Sequence, residues 1–210
     1  MNTQEIKALY SVLKPEIDER IREFGEIRKR GDEKEIFSEM VFCLLTPQSR
    51  AKVCWAAVER MKWNLLFHGS EKEITGALTG VRFKYTKAKR VIEARERFPE
   101  GKGLKALLDS FEGPFEARKW LVRNINGYGY KEASHFLRNT GYGLETAILD
   151  RHILRNLVSA KVIDEIPASL TRRRYLEIER EMREFAENIE IPVPALDLLF
   201  WYDGAGEIFK

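Results

Sequence analysis

Apolar residues recur every three to four positions along nearly the whole chain, and no stretch of useful length alternates apolar with polar. That period admits helices and leaves no sheet to organise the fold. Ile6, Leu9, Tyr10 and Leu13 form one stripe, and Ile17, Ile21 and Phe24 form another. Asp32 with Glu35 marks the opening of a helix that carries Ile36, Phe37, Met40, Val41, Leu44 and Leu45 and stops near Pro47. Ser49 is placed to cap the next helix, whose inner face is Val53, Ala57 and Met61. Ser70 with Glu73 makes a capping pattern before Ile74, Ala77 and Leu78. The same periodicity predicts helices over 86–97, 103–110, 114–124, 131–139, 150–160, 171–189 and 194–203. The expected fold is all-α, with about ten to twelve short helices. The Pro- and Gly-rich punctuation between them is too short to separate independent domains, so two lobes would share the chain non-sequentially.

Lysine and arginine number 36 against 33 aspartates and glutamates, and the resulting +3 says little about partners. Distribution says more. Seven basic residues and two acids lie between Arg82 and Arg97, whereas six glutamates and two arginines lie between Tyr175 and Glu190. A basic patch on a balanced protein fits a phosphate backbone or, equally, a solvated helix face. No run reaches the apolar length of a membrane span, and the first residues lack a secretory signal's basic-then-apolar order. A soluble protein of the cytoplasm is expected. Cys43 and Cys54 fall within helical segments and are expected as buried thiols. Two cysteines cannot make a four-cysteine zinc or iron–sulfur site.

Chemistry concentrates in residues 121–157, LVRNINGYGYKEASHFLRNTGYGLETAILDRHILRNL. A helix ending near Asn124 meets a turn with Gly127 and Gly129, and a second helix begins near Tyr130 or Lys131. Glycines two apart let the backbone turn tightly and approach a partner closely, and the amides opening the second helix suit a phosphate oxygen. This is the logic of a helix–hairpin–helix that grips DNA backbone without reading sequence; an ordinary glycine turn between packed helices has the same local pattern. Lys131 sits in the first turn, where the helix dipole disfavours positive charge and partial burial would favour a neutral, nucleophilic amine. Asp150 follows Ala147-Ile148-Leu149 and reads first as an N-cap. It becomes a catalytic candidate because an amine nucleophile is expected nearby.

Hairpin, lysine, some twenty residues and then an aspartate before a helix resembles the helix–hairpin–helix DNA glycosylases. GYGYKEASHFLRNTG followed by AILDRHIL is similar, more narrowly, to the archaeal-type 8-oxoguanine DNA glycosylase/AP lyase family. LLTPQSRAK at 44–52, VRFKYTKAKRV at 81–91 and the closing LFWYDGAGEIFK match it too, so the resemblance runs from about residue 36 to 210. It implies two helical lobes, 1–46 with 150–210 and 47–149, the hairpin motif at 114–139, and the active site in the cleft between them. It implies Lys131 as Schiff-base lysine and Asp150 as catalytic aspartate. Gln48 would help fill the gap left by an extruded base, Phe83 and Trp201 would sandwich that base, and the carboxylate of Lys210 would recognise it. Gly127, Gly129, Tyr130, Lys84 and Lys87 would meet the DNA backbone. His135 and His152 lie near the chemistry in sequence, and packing or a phosphate contact accounts for both.

The implied activity is excision of 8-oxoguanine from duplex DNA through a lysine imine, then β-elimination at the abasic site. The protein would act as a monomer with no organic cofactor and no metal, except that a monovalent cation at the hairpin carbonyls is compatible with the turn. A glycosylase for another lesion and a non-catalytic DNA clamp are the alternatives. Lys131 with Asp150 argues against the clamp, which needs neither an attacking amine nor a carboxylate beside phosphates.

Overall fold

The computed structural model describes residues 1–210, the side chain of Trp63 excepted, and every regular element in it is helical. Helix α1 (Thr3–Arg30) joins the two predicted N-terminal stripes into one element running through Pro15. Its buried residues Ile6, Ile17, Phe24 and Ile27 keep one face, and the packing of that face outweighs the hydrogen bond that proline removes. Asn2 and Glu5 form a capping box at its start, and Gly31 ends it in the left-handed conformation. Helix α2 (Glu33–Leu45) begins on Asp32, whose side chain accepts from the amides of Lys34 and Glu35 as the sequence predicts. Ser70 and Glu73 likewise cap α4 (Glu71–Ala77). Between them, α3 (Ala51–His68) has Arg50 at its N-cap position with no side-chain cap, and Ser49, expected to cap it, has its hydroxyl engaged elsewhere.

Helices α5 (Lys84–Arg97), α6 (Leu104–Asp109), α7 (Pro114–Asn124), α8 (Tyr130–Asn139), α9 (Arg151–Ser159), α10 (Arg172–Ile189) and α11 (Val193–Ala205) complete the chain. The buried side chains form two clusters. One holds α1 as far as Phe24, the Ala147–Leu149 segment and α9 to α11; the other holds Ile27 at the end of α1 and α2 to α8. The expected division at residue 46 is therefore corrected. All ten residues from Ile36 to Leu45 are buried, so α2 is enclosed on every side by α3, α5, α6 and α8 and belongs to the second lobe. The chain leaves the first lobe after α1 and returns to it near Ala147. Cys43 and Cys54 are free, buried thiols, and burial pushes both pKa values up, that of Cys54 to about 11.

Polar chains cross between the lobes. Arg138 on α8 pairs with Asp197 on α11 and donates to the side-chain oxygen Oδ1 of Asn139 (2.9 Å), and the Asn139 amide nitrogen donates to Glu39 on α2 (3.0 Å). Each of these residues is buried. Removing one partner of such a pair strands a desolvated charge at a cost of about 3–5 kcal/mol, so the network fixes how the lobes meet.

Candidate active site

The turn between α7 and α8 is pinned from below: the Tyr128 hydroxyl donates to the Met40 carbonyl of α2 (2.9 Å) and its amide to Ile125 (3.1 Å). Gly127 alone needs glycine's freedom. Its φ is +93°, and a Cβ there would lie 2.6 Å from Cδ of Arg90. Gly129 has extended backbone, and its N–H donates to the Glu132 carboxylate (3.1 Å). The amide expected to face a phosphate is thus occupied by the helix's own cap. Tyr130 also departs from expectation. Its ring turns inward against Tyr175 of α10 (5.5 Å) and the Arg118 guanidinium (5.1 Å).

Lys131 lies in the first turn of α8 with its side chain 23% exposed. Its Nζ is 3.4 Å from the Thr46 hydroxyl and 3.6 Å from the Glu132 carboxylate. Asp150 caps α9, one carboxylate oxygen accepting from the amides of His152 (2.7 Å) and Ile153 (3.0 Å). The other is left for a reacting group. The segment before Asp150 is held by α10: the Tyr175 hydroxyl donates to Ala147 O (2.7 Å), and Ala147 N donates to Glu179 (2.9 Å). Glu179 receives Arg118 through both carboxylate oxygens, and Arg118 donates to Ser134 (3.0 Å), one turn beyond Lys131. One buried network therefore grips the helix bearing Lys131 and the segment bearing Asp150. Burial pushes the nearby Asp197 carboxyl up to about 6 against its Arg138 partner, and the charges of Asp150 and Lys131 both reach it with opposite effect.

The residues expected to handle the base sit on α11, at the C-terminus and on the loops before α3 and α5. Trp201 on α11 is partly buried with its ring edge-on to His152 (5.3 Å). The final residues are packed: Ile208 is buried, Phe209 lies 6.4 Å from Phe42, and the Lys210 ammonium pairs with Glu39 while sitting 3.6 Å over the Trp55 ring. His135, beneath them against Phe42 (5.4 Å), is held neutral by burial. Gln48 and Phe83 occupy exposed tips, both with left-handed backbone (φ +56° and +58°). Phe83 is 56% exposed beneath the Arg82 guanidinium and faces solvent, not an enclosed slot. Lys84 remains at the surface beside the exposed Tyr85.

Lys87 is the clear correction. It is 2% exposed and donates to Leu45 O (2.7 Å), Pro47 O (2.7 Å) and Ser49 Oγ (3.1 Å), so it cannot meet a phosphate. The rest of the basic run divides too: Arg95 is tied to the Gly69 carbonyl (2.7 Å), while Arg82, Lys84 and Lys89 stay outward. Thr46, Arg118, Glu179, Asp197 and Glu39 are site neighbours that the sequence reading missed. Each is joined to the site across tens of residues, beyond any local pattern. Glu132 was within reach as the N3 residue of a capping box.

An amine in the first turn of α8 and a capping carboxylate on α9, whose elements one buried network grips, together with exposed aromatic and amide tips and a glycine hairpin, suit covalent chemistry on an extruded nucleotide. Comparison with known proteins agrees. The family model for 8-oxoguanine DNA glycosylase matches residues 17–191. A relative from Fusobacterium nucleatum, described as an 8-oxoguanine DNA glycosylase/AP lyase, is 46% identical over 98% of this chain and 96% of its own. One of the same description from Methanocaldococcus jannaschii is 42% identical over 95% of this chain and 94% of its own. The crystal structure of the Methanocaldococcus jannaschii glycosylase/lyase with a 15mer DNA containing 8-oxoguanine superposes with a TM-score of 0.91 at 39% identity, covering 99% of each chain.

Proposed function

As the chain belongs to the 8-oxoguanine DNA glycosylase family, we propose that it excises 8-oxoguanine from duplex DNA and then cleaves the strand at the abasic site, with Lys131 as nucleophile and Asp150 as its electrostatic partner. The observation that carries the assignment of roles is the shared grip of the Arg118–Glu179 network on the elements bearing these two residues.

C1′ of the damaged nucleotide is unreachable within a stacked duplex, so the nucleotide rotates out, at a cost of a few kcal/mol offset by backbone contacts and stacking. The deprotonated Lys131 amine attacks C1′ as the bond to the base breaks, and the base leaves with the electron pair and takes up a proton. Asp150, held by two amides, turns its carboxylate to the developing oxocarbenium and then accepts the proton the attacking amine sheds. Glu132 and Thr46 orient the amine before attack. Opening of the sugar ring gives an imine between Nζ and C1′, which acidifies C2′–H. Loss of that proton expels the 3′ phosphate by β-elimination, and water releases the lysine. The scheme needs no metal or organic cofactor. Gly127 and the outward Arg82, Lys84 and Lys89 supply backbone contacts, Gln48 fills the vacated stack, and Phe83 closes on the base against Trp201. The enzyme works as a monomer at the nucleoid.

The test is strand incision on otherwise identical duplexes carrying guanine, 8-oxoguanine or another oxidised base. Incision confined to 8-oxoguanine, leaving an unsaturated aldehyde at the 3′ end by mass spectrometry, is expected. Binding without incision of any duplex would leave only a DNA clamp.

A further inference from the structure

The loop between α2 and α3 carries Gln48 and lies beside the nucleophile, and one buried lysine holds it. The α2 helix ends at Leu45; Pro47 lacks the N–H that would meet Cys43 O, which the Thr46 hydroxyl takes instead, and no backbone amide reaches Leu45 O or Pro47 O. The Lys87 ammonium, arriving from α5, fills that need with all three of its protons: Leu45 O, Pro47 O and Ser49 Oγ. A cation at a helix C-terminus is favoured by the macrodipole, and every partner here is neutral. Ser49 then passes the connection on, its hydroxyl accepting from the amide of Arg82 (3.0 Å), the residue before Phe83. Within the same loop, the Thr46 hydroxyl donates to Cys43 O (3.0 Å) and meets Lys131 Nζ (3.4 Å). The two exposed tips, Gln48 and Phe83, both adopt left-handed backbone, a conformation that persists in non-glycine residues only when its surroundings enforce it. Lys87 and Ser49 are what lies between them.

We propose that Lys87 is a positioning residue for base extrusion: its ammonium locks the Thr46–Ser49 loop and, through Ser49, the Phe83 turn. It thereby sets Gln48, Phe83 and the Thr46 contact to Lys131 in one frame. The inference rests on the function proposed above for these tips, but the loop-locking itself does not depend on it.

The test compares wild type with Lys87→Met, which keeps length and removes the donors, and Ser49→Ala, which cuts only the link to Phe83. Hydrogen exchange of the free proteins is expected to speed up at residues 46–50 and 82–85 in Lys87→Met, and at 82–85 in Ser49→Ala. On duplex DNA, single-turnover excision of 8-oxoguanine is expected to fall about 10–100-fold in Lys87→Met, the scale of a misplacement near 1 Å. The fluorescence rise of a 2-aminopurine placed beside the lesion should shrink in parallel. Cleavage of a single-stranded abasic site, which needs no extrusion but still draws on the Thr46 contact to Lys131, should fall less than excision does, and an equal fall would overturn the extrusion role. The salt dependence of binding to undamaged duplex should not change. A slope reduced by about one, with lesion and undamaged DNA weakened alike, would make Lys87 a phosphate contact and overturn the proposal. So would unchanged exchange at both segments. If Lys87→Met does not fold, Ser49→Ala decides by the same readouts, with a smaller loss in the same direction expected and wild-type extrusion overturning the link. A wild-type protein inactive on 8-oxoguanine would sink the proposed function, while the exchange contrast would still decide whether Lys87 locks the loop.

Discussion

Arg118 on α7 and Glu179 on α10 meet as a bidentate ion pair, 2.5 and 2.7 Å, buried between the hairpin and the segment that ends at Asp150. Glu179→Gln leaves Arg118 charged and half-partnered in a desolvated site. Loss of one partner of such a pair costs about 3–5 kcal/mol, so urea unfolding should show a drop of that order. Because Ala147 N also loses its carboxylate, excision should fall in the fraction that remains folded. Wild-type stability in the variant would show that the pair does not hold the lobes.

Asp150→Asn keeps an acceptor at the α9 N-cap and removes the charge. Folding should survive, while excision falls by roughly two to four orders of magnitude, the range for acid–base and electrostatic groups. Binding to lesion DNA should persist or tighten, since a negative charge near phosphates has gone. A melting temperature that falls in step with activity would mark Asp150 as a cap and nothing more.

Lys210 is anchored at its side chain by Glu39 and Trp55. Guanine and 8-oxoguanine present N1–H and N2–H side by side, which a carboxylate accepts with two oxygens at about 1.5–3 kcal/mol per charge-assisted bond. Extending the chain past Lys210 with a tag should abolish excision of 8-oxoguanine and spare cleavage at preformed abasic sites, which hold no base. Equal excision by tagged and untagged protein would remove Lys210 from recognition.

Burial lowers the Lys87 ammonium to about 8, with Arg90, Lys131 and Arg82 acting in the same direction and Cys54 opposing. Between about pH 8 and the unfolded value of 10.5, the unfolded chain binds a proton that the folded one has released. Stability contributed by this site therefore rises with pH through that window and is flat below it. The difference in unfolding free energy between wild type and Lys87→Met should shift in favour of wild type from pH 7.5 to 9.5. A constant difference would contradict the shifted lysine.

The helices were legible because each carries its own signals: Asp32 before α2, the Ser70–Glu73 box, the glycine turn at 127 and the 3.6-residue stripes. The places of Lys131 in the first turn of α8 and of Asp150 at the α9 N-cap were legible because their signals lie in one continuous segment. What escaped is whatever depends on a partner far along the chain. Lys87 sits in a run of surface-like charges, and only the arrival of the α2 terminus turns it inward. Ser49 resembles a cap until Lys87 and the Arg82 amide claim its hydroxyl. The lobe boundary was misplaced for the same reason, since α2 is apolar enough for either lobe and only its neighbours decide. Tyr130 and Gly129 show a further limit: a hairpin motif locates the turn, whereas the direction of each side chain and amide is settled by α10 and Glu132.

The central claim is a covalent imine on Lys131, and borohydride reduction tests it most directly. Protein incubated with an 8-oxoguanine duplex under borohydride should give a stable adduct of protein and DNA, with the cross-link mapped by peptide mass spectrometry to Lys131. Lys131→Gln should bind the duplex yet give neither adduct nor strand cleavage. An adduct mapped to another residue, or full trapping by Lys131→Gln, would contradict the account.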